Sequence, residues 1–189
     1  MLIFVITDRI GNKMSDLEEI SERVISVMEG MDGLSDLRVS ELRKIPLGTL
    51  REGTYNLQGV CRYRKGVWQR VAKGTARGPL EVRCIDLHPL LLTDRWSRYA
   101  DHVLFHEYLH ALLPGEGHGP EFRARESLWP DSKAISMKEE FGRFIRERRT
   151  DILKWVLICP DCDFSYFSKK PLVGARCRKC KATLENTRR

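Results

Sequence analysis

The chain has 189 residues, with 33 Lys and Arg against 26 Asp and Glu, a formal net charge of +7, 42% hydrophobic and 31% charged residues. That balance excludes disorder throughout, because about 150 residues bury a proper core without disulfide staples. No run approaches the roughly 18 uninterrupted apolar residues of a membrane span, so a membrane protein is not expected.

Residues 1–7 are apolar, but Asp8 and Arg9 close the run short of a signal-peptide core and no basic segment precedes it. The stretch reads as a first strand of a protein that is not exported. Ser15-Asp16-Leu17-Glu18 has the spacing of a capping box. Leu17, Ile20, Val24, Ile25 and Met28 then recur at three- and four-residue steps, which predicts a helix to about Gly30 with one apolar face.

From residue 37 to about 84 the pattern changes to short segments rich in Val, Tyr, Trp and Thr, punctuated by glycines, which predicts strands and hairpins. A strand over residues 82–87 should end at His88-Pro89, where proline cannot donate to a ladder. Thr93 or Asp94 then caps a helix over about 95–113 that is apolar on most faces and therefore buried. Gly115, Gly117 and Gly119 make a loop, Pro120 suits the first turn of a short helix, and a last helix follows over about 132–149. Near residue 151 the pattern becomes cysteine-rich, aromatic and basic, which divides the chain into domains 1–150 and 151–189.

His106-Glu107-Tyr108-Leu109-His110 lies inside the buried helix. Histidines four residues apart project from one helix face, so both imidazoles can reach one zinc ion. Glu107 falls beside the water that the metal acidifies, where it acts as general base. A catalytic zinc needs a third protein ligand and an open position. His118, after the glycine loop, is the natural candidate, with Glu121 or Glu126 as carboxylate alternatives. Leu113 and Glu116 stand where metzincins have glycine and histidine, which excludes that family. His102, one turn before His106, reads as an ordinary helix histidine or a residue behind the ligands. An oxyanion stabiliser is required in principle, and Tyr55, Tyr63 and His88 are candidates.

Cys159, Cys162, Cys177 and Cys180 form C-x2-C-x14-C-x2-C, the spacing of a four-thiolate structural zinc site. The chain is thus expected to hold two zinc ions, one catalytic and one structural. Cys61 and Cys84, on neighbouring strands, read as buried reduced thiols. Residues 62–83 carry seven cations against one acid. There Arg62, Arg64 and Lys65 with Trp68, and in the tail Phe164, Tyr166, Lys169 and Lys170, combine rings that stack bases with cations that hold phosphates, which suits single-stranded DNA. Strand alternation would place Phe164 and Tyr166 on one face.

His106-Glu107-x-x-His110, the glycine loop, and His118-Gly119-Pro120-Glu121-Phe122 together resemble the SprT-like (Spartan-type) zinc metalloprotease family. The segments beginning at Gly59 and Ile85 and the terminal cysteines also resemble that family. The resemblance implies an α+β fold: a zincin-like core of helices packed on a small, mainly antiparallel sheet, followed by a small β zinc ribbon. It implies His118 as third ligand and a peptidase that digests proteins bound or crosslinked to single-stranded or branched DNA, with DNA stimulating cleavage. Such folds bind substrate along an edge strand, which would be the one ending at Leu87. The expected location is the cytoplasm, at the nucleoid, or the nucleus of a eukaryote. The competing readings are a nucleic-acid-binding ribbon protein whose histidine zinc is structural, and a minigluzincin-like peptidase with no DNA role.

Overall fold

A computed structural model describes residues 8–51, 53–162 and 164–188. The predicted strand at residues 1–7 lies outside the described residues. The chain divides into two compact units between Phe141 and Gly142. Among the described residues no helix is long and apolar enough to cross a membrane.

The first unit opens with α1 (Asp8–Glu29). The capping-box expectation is corrected, since Ser15 and Glu18 lie inside this helix rather than at its start. An S-x-x-E step also fits a helix interior, where residues three apart are neighbours on one face. The apolar stripe is as expected: Leu17, Ile20, Val24, Ile25 and Met28 are all buried.

Residues 37–84 form fewer strands than their composition suggests. A 3₁₀ turn (Val39–Lys44) leads to β1 (Leu47–Thr49), followed by β2 (Gly59–Tyr63), α2 (Val67–Ala72) and β3 (Val82–Leu87). The Val-Trp-Gln-Arg-Val-Ala segment is thus helical, against its β propensity. Gly66 turns the chain into it at φ 80°, Val67 is buried beneath it, and Arg70 on its last turn is held by Glu81. Tertiary contacts of this kind override a propensity scale that spans only about 1 kcal/mol.

The strand order is β1-β3-β2, with β1 parallel and β2 antiparallel to β3. The strand ending at Leu87 is therefore central rather than an edge. Its fully buried Ile85 and Leu87 reflect that place, and β2 is the edge strand that lies against the histidine helix.

That helix, α3 (Ser97–Leu112), buries eleven of its sixteen residues. It starts slightly later than its pattern predicts, behind a 3₁₀ turn (Asp94–Trp96), and no side chain caps it. The Thr93 hydroxyl donates to the Leu90 carbonyl instead. On one flank α1 fixes it, with Ser21 Oγ 2.8 Å from the Tyr108 hydroxyl and Arg23 paired to Asp101. Next come α4 (Pro120–Glu126), with proline in its first turn, and α5 (Ser132–Ile152).

The second unit holds a three-stranded antiparallel sheet of order β5-β4-β6: β4 (Trp155–Ile158), β5 (Ser165–Ser168) and β6 (Glu185–Arg188). Its buried core is small, comprising Leu157, Cys159, Cys177 and Leu184. The described residues form an α+β protein, as the resemblance implies.

Candidate metal centres

The sequence places His106 and His110 one turn apart on α3, and the glycine loop returns His118 to them. Their three Nε2 atoms form a triangle with every side 3.2 Å. A tetrahedral ion bonded at 2.0–2.1 Å spaces its nitrogen ligands about 3.3 Å apart, so the donor set fits zinc. Three imidazole nitrogens that converge in this way make a donor set that could hold a cation.

The electrostatics agree. Burial, reinforced by the neighbouring imidazoles, pushes His110 down to about 4, so its ring is neutral near pH 7 with a lone pair to offer. Phe122, fully buried on α4, packs against all three rings, with centroids 5.1, 4.5 and 5.1 Å from those of His106, His110 and His118. Arg123 Nε donates to the His118 carbonyl at 3.0 Å, fixing the backbone of that residue to α4.

The two carboxylate alternatives do not join the triangle. Glu126 Oε1 lies 2.6 Å from His106 Nδ1, on the opposite edge of the ring from Nε2. Glu121 is bound to Arg125 at 3.0 Å on the surface.

Glu107, the residue after His106, is buried at the interface of α3 with β2. Burial pushes its carboxyl up to about 7, while His106 and the Cys61 backbone N–H pull it down. A carboxyl poised near neutrality is suited to take a proton and return it. Gly59 makes the arrangement possible: a Cβ there would lie 2.8 Å from both Cγ and Oε1 of Glu107.

Tyr63 and His88 are engaged elsewhere in the fold. The Tyr63 hydroxyl donates to the His110 backbone carbonyl at 2.6 Å, and the His88 ring, buried, contacts the Thr54 carbonyl and the Leu90 N–H. Tyr55 is half-buried. His102 is buried beside Tyr99 and Trp129, and burial lowers its pKa.

The four ribbon cysteines gather with all Sγ atoms within 4.8 Å of one another. Three of those distances are 3.3, 3.6 and 3.7 Å, close to the roughly 3.8 Å of a tetrahedral zinc tetrathiolate. The backbone N–H groups of Cys180 and Lys179 lower the Cys177 thiol, whereas Cys162 and Cys180 are shifted upward among the neighbouring sulfurs, so Cys177 is the most readily ionised of these three thiols. Lys181 takes φ 67° to close the second knuckle, its N–H on the Cys177 carbonyl at 3.1 Å.

The residues assigned to DNA are dispersed. Arg62 is paired with Asp86 at 2.6 Å, and Arg64 Nε donates to the Val82 carbonyl. Lys65 and Trp68 are exposed, Trp68 to 60%, on and beside α2 rather than on a hairpin. Phe164 precedes β5 and packs against the ribbon core, so it shares no strand face with Tyr166. Tyr166, Lys169 and Lys170 are exposed. Phe167, absent from the predicted set, is exposed to nearly the same degree as Tyr166, which strand alternation alone does not predict.

Among known proteins, no curated protein and no solved structure matches the chain. The model of the SprT-like family matches residues 49–131, a stretch holding β2, α2, β3, α3 and α4 with the whole histidine triangle and Glu107. Over that stretch the chain is similar to the SprT-like family, a likeness that suggests a metalloprotease-like protein.

Proposed function

We propose that the chain is a zinc-dependent endopeptidase, stimulated by DNA, that cuts proteins bound or crosslinked to DNA. The observation that carries the peptidase reading is the 3.2 Å triangle of Nε2 atoms with a buried carboxyl on the adjoining residue of the same helix. His106, His110 and His118 would hold the catalytic zinc. Bound there, zinc supplies Lewis acidity to water and to the scissile carbonyl. Glu107 takes the proton of the attacking water and delivers it to the leaving amine. Among the described residues no further strand pairs with the outer edge of β2, and its remaining main-chain groups would be offered to an extended substrate beside Glu107.

The DNA part rests on the family and on α2. Trp68 meets Tyr63 edge-to-face at 5.3 Å, and Tyr63 in turn holds the His110 carbonyl. Val71 lies against Gly115 in the loop that carries His118, where a Cβ would come within 2.6 Å of it. A base stacked on Trp68 beside Lys65 would therefore press on the supports of two zinc ligands. Tyr166, Lys169 and Lys170 are the corresponding groups of the ribbon, whose cysteines would hold the second, structural zinc. DNA as partner puts the protein in the cytoplasm, at the nucleoid, or in a nucleus.

The test is zinc counting with cleavage assays on a DNA-binding protein, with and without single-stranded DNA. Two zincs per chain and DNA-dependent cleavage are expected, and Glu107→Gln should keep both metals and lose cleavage. A cleaving Glu107→Gln variant would overturn the mechanism. Cleavage indifferent to DNA would leave a peptidase and remove its DNA role.

A further inference from the structure

The carboxylate of Glu126 touches His106 on the side away from the triangle. We propose that Glu126 is a positioning residue that fixes His106 in the tautomer whose Nε2 lone pair faces His110 and His118. This rests on the zinc reading of the histidine triangle.

The inference follows from donor chemistry. An ionised carboxylate only accepts hydrogen bonds, so at 2.6 Å from Nδ1 it requires the proton to sit on Nδ1. In the neutral imidazole Nε2 is then bare and able to bind a metal. In the other tautomer Nε2 carries the proton, which would point at two imidazole nitrogens 3.2 Å away. A carboxylate on the far nitrogen of a zinc-bound imidazole fixes the ring's orientation and raises its basicity.

Glu126 is itself held firmly. It ends α4, the helix that begins two residues after His118. Its neighbour Arg125 anchors that end to Asp36 at 2.8 Å and to Glu121 at 3.0 Å. Phe122, one turn earlier, packs under the imidazoles. A seven-residue helix thus binds the first ligand through Glu126 and the third through Arg123, and sets their separation.

Two readouts test this without relying on cleavage. In metal-free protein, nitrogen-15 NMR of the imidazoles should find the His106 proton on Nδ1 in the wild type. In Glu126→Ala it should move toward Nε2, the tautomer that free histidine prefers. Chelator competition should then show zinc affinity at the histidine site falling about 10- to 100-fold in Glu126→Ala and by less in Glu126→Gln, which keeps the side-chain shape and an acceptor oxygen. The cysteine site is the internal control and should be unchanged. If Glu126→Ala disturbs the fold, Glu126→Met, which keeps the length of the side chain without the carboxylate oxygens, decides, and wild-type affinity in that variant overturns the proposal. Unchanged tautomer and affinity in both Glu126→Ala and Glu126→Met would do the same. A wild-type protein that binds zinc at the cysteines alone would overturn the histidine site itself, a different result from unchanged variants of a two-zinc protein.

Discussion

Gly59 and Glu107 approach so closely that no side chain fits between them: a Cβ at Gly59 would meet Cγ and Oε1 of Glu107 at 2.8 Å and Val103 Cγ1 at 3.0 Å. The edge strand and the histidine helix thus touch at the carboxyl proposed as general base. Gly59→Ala should push Glu107 out of place while leaving the three histidines, which come from α3 and the loop before α4, where they are. Misplacing a catalytic group by about 1 Å costs on the order of 100-fold in rate. The expected outcome is a kcat/KM lowered by about that factor with two zincs still bound. An alanine variant of wild-type activity would show that Glu107 needs no such fit.

Phe122 supports all three imidazoles from one fully buried position. Truncating a buried Phe to alanine costs about 3–5 kcal/mol through lost transfer energy and the cavity left behind. Because that cavity would lie against the ligands, Phe122→Ala should weaken zinc at the histidine site as well as lower Tm. Phe122→Leu, which refills most of the volume, should restore Tm further than it restores zinc affinity. Calorimetry and chelator competition on the same samples separate the two effects.

Much of the geometry of the two candidate metal groups was legible in the sequence because it depends on spacing. His106 and His110 are fixed relative to each other by helix periodicity, and the cysteine pairs by the short turns that hold them. The buried helix announced itself by apolar residues on most faces, and Pro120 by its suitability for a first turn. What could not be read depends on contacts between distant segments. Glu126 looks the same as Glu121 until α4 is seen to turn one toward His106 and the other toward Arg125. Gly59 is one glycine among fourteen until β2 is laid against α3. The position of the edge strand depended on a three-residue β1 that pairs in parallel with β3, too short to carry a period-two signal. Residues 67–72 have strand composition and become helix because Gly66, buried Val67 and the Arg70–Glu81 pair decide otherwise.

Zinc should be an obligate part of the ribbon fold. Two of its four buried core residues are the thiols Cys159 and Cys177, and Leu157 and Leu184 alone do not make a core. Small metal domains of this kind fold with the ion and unfold without it. Cys177→Ser should therefore lower the zinc count from two to one and make the segment from β4 to β6 sensitive to limited proteolysis. The first unit, with its own core of α1, α3 and the sheet, should keep its zinc and its protease resistance. A protease-resistant ribbon in the one-zinc variant would show that its aromatic residues suffice to hold the sheet.

His102 gives a pH dependence whose sign follows from its surroundings. It is buried beside Tyr99 and Trp129, and burial lowers its pKa below the ordinary value of about 6.5; Glu126 and Asp131 pull it up, while His106 and Lys138 add to the lowering. Above about pH 6.5 the imidazole is neutral in both folded and unfolded chains, and stability does not depend on it. Below that pH the unfolded chain takes up a proton that the folded chain resists, so stability falls as the pH drops toward the lowered folded-state pKa. His102→Phe keeps a ring between the same neighbours and removes the titration. Between about pH 7.5 and about pH 5.5 the wild type should lose more Tm than His102→Phe, by about 2–4 °C for each kcal/mol of linkage. The other titrating groups are common to both proteins, so the difference between their pH profiles isolates His102. Parallel profiles would mean that His102 protonates as readily in the folded chain as in the unfolded one.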